Sequence, residues 1–390
     1  SPQRALETAQ AIEGLTPVRL FSILFPLWEV EVAGTQRHSR SYELLEQFLE
    51  RGIAEGELRS ATELASFFGV DRALVDKTLL FLQQMGHVVE SDGALRLTTL
   101  GKESLADGVS YRELETRRKL YFEAFGSRPL PRDHYRLRIL PEAEALSHQQ
   151  HHFFLAFSFQ PWQTDALWAL AKRADRSEWN LPDEISGISP REIARAYLPM
   201  YVVETRKQTR TGHYAAQYVV LTRIRNLRDT FFEKVINAET DLLDPLYAQA
   251  EPDVYKFIQE ELSNQGVATQ EVQLTQLAPD AWRATVTPKA LSAGRTRLTL
   301  KDVGTYLLIR GYCLQIWCDD PAFRREAALM QAISVIDRWQ RPATEREVNQ
   351  LLETVSTRLR TISLGLPELK EQASKQRASG VLAKLEEVNM

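Results

Sequence analysis

The chain has 390 residues, of which 44% are hydrophobic, 26% charged and 9% aromatic. Those values exclude global disorder and a fibrous repeat, and the length predicts roughly two to three domains. With 48 basic against 52 acidic residues the formal charge is −4. This excludes a uniformly basic nucleic-acid coat and leaves room for a local basic face.

Two cysteines, Cys313 and Cys318, exclude a disulfide scaffold and fit a reducing compartment. The apolar run 18–32 is broken by Arg19 and Glu29 and is too short to cross a bilayer. Residues 1–17 lack the basic start and apolar stretch of a signal peptide. The expectation is a cytoplasmic protein without membrane contact.

Residues 18–32 read as extended, with Pro26 as an interruption. Residues 41–54 place Leu44, Leu45, Phe48, Leu49 and Ile53 at helical spacing. Ser60 and Glu63 form a capping box for a helix over 62–68, ended by Gly69. Asp71 caps a second helix running to Met85, with Leu74, Thr78, Leu82 and Met85 as its buried stripe, and Gly86 stops it. Two short strands then flank Ser91-Asp92-Gly93, a hairpin signal.

Farther on, residues 117–138 read as a β-hairpin broken by Gly126, Pro129 and Pro131. Residues 163–174 read as helix, 177–190 as a polar connection with a soft boundary, and 191–198 as a short helix. A second hairpin turns at Thr211-Gly212, followed by helix as far as Pro245. Helix 254–266 precedes a third hairpin around Pro279-Asp280. A helix after Asp320-Pro321 and an amphipathic one over 343–362 lead into a charged helical tail. Val348, Leu351, Leu352, Val355, Leu359 and Ile362 on the amphipathic helix fit either a dimer seam or core. The fold class expected is α+β and multidomain, with boundaries near 110 and 250 and a helical C-terminus.

The order helix, helix, turn, helix, strand, turn, strand over 41–105 resembles the winged helix-turn-helix family of bacterial regulators. The residues that carry it are ATELASFFGV (61–70), DRALVDKTLLFLQQMG (71–86) and HVVESDGALRLTTLGKESL (87–105), with Leu97, Thr98 and Gly101 closing the wing. The resemblance implies a helix 71–85 that enters the DNA major groove and a wing that touches the backbone. Arg72 and Lys77 would then face DNA, and Arg96 and Lys102 would lie on or near the wing. Charge opposes this. Between 55 and 105 five basic residues meet eight acidic ones, whereas non-specific DNA affinity comes from neutralising phosphates. The alternative is an acidic module that makes protein contacts.

Two basic segments extend the nucleic-acid reading. Residues 117–138 carry Arg117, Arg118, Lys119, Arg128, Arg132, Arg136 and Arg138, a net +5. Residues 204–228 carry Arg206, Lys207, Arg210, Arg223, Arg225 and Arg228, again +5. Tyr121, Phe122, Tyr135, Tyr214 and Tyr218 are interleaved. Arginine forks match phosphates and stack on bases; the alternative is a solvated strand face. A winged helix followed by such hairpins is also loosely similar to the WYL-domain regulators, although their Trp-Tyr-Leu stands here as Tyr218-Val219-Val220.

Asp183 and Glu204 raise a third possibility, a divalent-metal nuclease, but Arg206 stands where such sites place a lysine. His148, His151 and His152 have helical i, i+3, i+4 spacing, which fits a solvated or capping cluster better than a metal site. Walker, dinucleotide-binding, G-x-S-x-G and H-E-x-x-H motifs are absent from the sequence, so no cofactor is expected. The reading is a DNA-binding transcription regulator or the DNA-recognition subunit of a larger system, with a protein partner or a second copy of the chain as a further partner. The alternative is an assembly subunit.

Overall fold

A computed structural model describes residues 1–148, 153–155, 159–222, 228–248, 253–292 and 297–386. The fold is mixed α+β. The chain forms two compact units that interleave in sequence: one comprises 1–25, 143–156 and 198–390, the other 26–142 and 157–197.

Helix α1 (Pro2–Gln10) leads into the long strand β1 (Leu15–Ser41). Pro26 does not interrupt β1 as expected; antiparallel pairing simply starts one residue later, at Leu27↔Glu123. Helices α2 (Leu44–Ala54), α3 (Ala61–Phe68) and α4 (Arg72–Gln84) follow, then the hairpin β2 (Val88–Ser91) and β3 (Ala94–Leu97), helix α5 (Thr99–Asp107) and strand β4 (Val109–Glu123). Strand β4 pairs with β1 over its whole length, ending at Ser41↔Val109.

The expected hairpin over 117–138 is therefore corrected. The partner of 117–123 is β1, and the return past the turn amounts to one bridge, Phe122↔Pro129. Pro129 and Pro131 lack the N–H groups a returning strand needs, and 132–136 coil into a 3₁₀ turn. Buried Glu123 organises that turn: its carboxylate accepts N–H bonds from Phe125, Gly126 and Arg128 and from the Arg128 guanidinium.

After β5 (Leu140–Pro141), α6 (Glu142–His148), β6 (Phe154–Leu155) and α7 (Thr164–Ala171) comes β7 (Ile185–Gln208). The short helix expected over 191–198 is part of β7. Its Ala196 and Tyr197 pair with Pro141 and Leu140, so tertiary pairing overrides a modest helical preference. Strand β7 forms the expected hairpin with β8 (Tyr214–Leu221) through Gly212 at φ 83°. Helices α8 (Thr230–Ala238) and α9 (Asp244–Tyr247) follow. Pro245 does not end a helix; it sits in the first turn of α9, where its missing N–H costs nothing.

The remainder comprises α10 (Val254–Asn264), β9 (Val272–Ala278), β10 (Ala281–Val286), α11 (Pro288–Ser292), β11 (Tyr306–Ile309), β12 (Tyr312–Trp317), α12 (Pro321–Asp337), α13 (Glu345–Leu359), α14 (Leu366–Lys375) and α15 (Ser379–Glu386). Strand β12 lies between antiparallel β11 and parallel β10, and β10 pairs with β9. One core gathers Trp317 and Cys318 with α12–α15. Another packs Leu314 and Ile316 against α10 and α11. Val348, Leu352, Val355 and Leu359 of α13 belong to the first core, which resolves the open alternative for that stripe, and Ile362 is left in solvent. Cys313 and Cys318 are both buried, and burial pushes both thiols up.

Candidate functional site

Residues 41–111 combine several exposed large apolar side chains with a buried polar centre. Helix α2 starts at a capping box of Glu43 and Glu46, and Arg40 holds Glu46 at 2.6 Å. Helix α3 starts at Ser60, whose hydroxyl accepts the Glu63 N–H while Glu63 accepts those of Arg59 and Ser60. Those N–H bonds hold the Glu63 carboxyl below its ordinary range. Gly69 ends α3 at φ 62°, and the Asp71 carboxylate caps α4 at Ala73 and Leu74. Asp92 and Gly93 both have positive φ, as a two-residue hairpin turn requires.

The buried side of α4 is Val75, Leu79, Leu82 and Met85. Of the expected stripe, Leu82 and Met85 are buried, while Val75 and Leu79 take the places expected for Leu74 and Thr78, and Leu74 faces solvent. On α2 the apolar run is wider than the core needs. Leu49 and Ile53 are buried, while Leu44 is 73% and Phe48 44% exposed. Phe67 at the end of α3 is 68% exposed and meets Phe68 edge-on at 5.0 Å; Phe68 in turn lies 6.0 Å from Phe48. Leu74, Leu80 and Phe81 of α4 and Val89 of β2 are also exposed. Isolated exposed apolar residues are ordinary; here an aromatic run spans two adjacent helices.

Behind this surface is a fully buried polar centre. His87 Nδ1 lies 2.6 Å from Glu50, and its Nε2 bonds the Tyr111 carbonyl. The Tyr42 hydroxyl donates to the other Glu50 oxygen at 2.6 Å. Burial first, and Glu50 next, push the Tyr42 phenol up. The Ser104 hydroxyl accepts the Tyr111 N–H at 3.1 Å. These bonds tie α2, the α4–β2 turn, α5 and β4 together. Although Ser104, His87 and Glu50 have the residue types of a hydrolytic triad, all three are buried, and His87 spends both nitrogens on structural bonds.

The basic residues expected to bind nucleic acid divide between the two units. Arg72 is paired with Asp76 at 2.9 Å and bonds Thr62. Lys77, Arg96 and Lys102 are exposed and form no ion pair among the described residues. On β4, Arg117 pairs with Glu31 and Lys119 with Glu29, both diagonally across to β1, while Arg118 is exposed. Arg136 lies 4.0 Å from Asp133, and Arg138 is exposed. In the other unit Arg206 is clamped between Glu204 and Asp280. Lys207 and Arg210 are exposed, and Arg223 and Arg225 lie outside the described residues.

Asp183 pairs with Arg176, and buried Glu204 with Arg206. Among the described residues no group of three or more His, Cys, Asp or Glu side chains is placed to hold a metal ion. His151 and His152 lie outside the described residues. No helix among the described residues is long and apolar enough to cross a membrane.

Sequence reasoning missed the exposed aromatic run and the Glu50–His87 pair. The one signal for the first was an apolar stripe on α2 too wide for one buried face. Compared with known proteins, the chain matches no family model, no curated protein and no solved structure.

Proposed function

We propose that residues 41–105 are a winged helix-turn-helix domain used for protein contact, and that the chain is a cytoplasmic assembly subunit of a multidomain kind. The observation that carries this reading is the exposed run Leu44, Phe48 and Phe67 on α2 and α3. Burying each of these side chains against a partner is worth about 1.5–3 kcal/mol. Leu74, Leu80 and Phe81 extend apolar exposure onto α4, the helix that would have to lie in a groove. There Arg72 is already neutralised by Asp76. A net charge of −3 over 55–105 suits a protein partner better than a phosphate backbone.

DNA binding is the second reading, favoured by exposed Lys77, Arg96 and Lys102. Two titrations separate the two. Fluorescence anisotropy of duplex DNA against the full chain, at several salt concentrations, compares wild type with a Lys77→Glu/Arg96→Glu variant. A partner isolated on the wild-type chain, then purified, is titrated against wild type and Phe48→Ser/Phe67→Ser. Assembly predicts negligible salt-dependent DNA binding and a partner affinity at least roughly tenfold weaker in the phenylalanine variant. Salt-sensitive DNA binding lost in the Lys77/Arg96 variant, with the phenylalanine variant unaffected, overturns it in favour of DNA.

A further inference from the structure

Three arginines from distant parts of the chain converge on one indole. Trp317 ends β12 and is only 5% exposed. The guanidinium carbon of Arg283, on β10, lies 4.6 Å from its ring centroid, that of Arg324, on α12, 5.2 Å, and that of Arg360, capping α13, 6.0 Å. Parallel pairing of β10 with β12 sets Arg283 beside Gln315 and Thr285 beside Trp317, so Arg283 and Trp317 share a face of the sheet.

Donor accounting shows how little of this cationic cluster is used within the protein. Arg283 donates through Nε to Gln315 at 2.8 Å. Arg324 donates through Nη1 to the carbonyls of Cys318 and Asp319, while its Nε is buried without a partner. Arg360 is exposed. None of the three forms an ion pair among the described residues. Each guanidinium carries five N–H groups and no acceptor, so most donors of the cluster are unspent. No acid of the neighbouring turn forms an ion pair with the three, although the charge of Asp319 acts on Arg283. Asp320 commits its carboxylate to the N–H groups of Ala322 and Phe323, and Asp319 is exposed.

We propose that the Arg283–Arg324–Arg360 cluster on Trp317 is a binding site for a phosphate-class oxyanion, either free phosphate or the phosphoryl group of a nucleotide. Guanidinium forks fit such oxygens bidentately, and the indole face holds the forks in place by cation–π attraction. Trp317 is too buried to stack on a base, so recognition is of the phosphoryl group. Burial first, and the like charge of Arg360 second, hold the Arg283 guanidinium below its ordinary pKa. An anion between the two would relieve that crowding. The residues are independent of the proposed docking face.

The test is isothermal titration of the full chain with inorganic phosphate and, separately, with a nucleoside 5′-monophosphate, at constant ionic strength set with chloride. The site predicts saturable one-to-one binding that is at least roughly tenfold weaker in Arg360→Gln and in Arg283→Gln. Binding is unchanged in Arg338→Gln, which removes an exposed arginine elsewhere on the surface. Because Arg360 is exposed, its variant keeps the fold even if Arg283→Gln does not; circular dichroism verifies this. Equal affinity for the two ligands assigns the site to the phosphoryl group alone, and tighter nucleotide binding extends it to the nucleoside. Absence of saturation at millimolar ligand, or binding unchanged in Arg360→Gln, overturns the proposal.

Discussion

His87 Nδ1 stands 2.6 Å from Glu50 Oε1, and neither side chain is reached by solvent. Its Nε2 meets the Tyr111 carbonyl, which only accepts, so Nε2 carries a hydrogen. Nδ1 faces the Glu50 carboxyl, which favours a hydrogen there as well.

Burial pushes the His87 pKa down, but the bonds to Glu50 and Tyr111 and the Glu50 charge outweigh it, and the net shift is upward. The pair's contribution is therefore fully present below the ordinary histidine pKa and is lost as pH rises through the raised folded value. Urea unfolding of the wild type should show stability falling on the alkaline side. Glu50→Gln should flatten that slope, since the imidazole loses the partner that holds its proton, and cost about 1–3 kcal/mol near neutral pH, as for a buried polar group that loses its hydrogen-bond partner. An unchanged slope would show that His87 is neutral in the folded chain.

Gly101 sits in α5 where an added Cβ would overlap the His87 carbonyl oxygen and press on that residue's backbone. Backbone cannot retreat as a side-chain tip can. Gly101→Ala should cost about 2 kcal/mol or more. At Gly52 the same change meets only the ends of the Leu64 and Phe68 side chains, at 2.8 and 2.9 Å. Gly52→Ala should cost less than about 1 kcal/mol, since helix propensity partly offsets the crowding. Urea midpoints of the two variants give the comparison directly.

In the other unit Glu204 is 2% exposed, with one oxygen on Arg206 at 2.5 Å and the other without a partner. Arg206→Gln leaves that carboxylate buried and uncompensated. The expected cost near pH 7 is about 3 kcal/mol. Thermal melts of the variant and wild type measure it; a deficit within about 0.5 kcal/mol, as for an ordinary surface substitution, would refute the assignment.

Phe67→Ser should change stability little, by within about 0.5 kcal/mol, as substitution of a largely exposed residue does; Phe48→Ser, at a half-exposed position, should cost more than that but less than a core truncation. Leu49→Ala, one position along α2 and buried, should cost about 2–5 kcal/mol. If the phenylalanine variants were as costly as Leu49→Ala, the aromatic run would be part of the core and not a surface for a partner.

Features decided within a few residues were legible in the sequence. The cap of Ser60 with Glu63, the stop at Gly69, the cap at Asp71 and the turns at Asp92-Gly93 and Gly212 all stand where the residue types put them. Features decided by distant partners were not. Residues 117–123 pair with β1 across most of a unit's length of chain, and 191–198 become strand because 140–141 lie beside them. On α4 the second half of the expected stripe, Leu82 and Met85, is buried, but its first half falls on Val75 and Leu79, which satisfy the helical period as well as Leu74 and Thr78 do. Exposure escaped altogether. Phe48 and Phe67 have the same composition signature as core residues, and nothing local sets Arg283, Trp317, Arg324 and Arg360 together.

The interleaving of the two units has a consequence for synthesis. The unit made of 26–142 and 157–197 has all its residues once position 197 has left the ribosome. The other begins at residue 1 but draws most of its chain from 198 onward. The first 25 residues find some partners in 154–155, but others, Tyr312 among them, are made only after the whole of the other unit. Translation thus imposes an order on folding: the start of β1 stays only partly paired while the other unit emerges, open to chaperones and to misassembly.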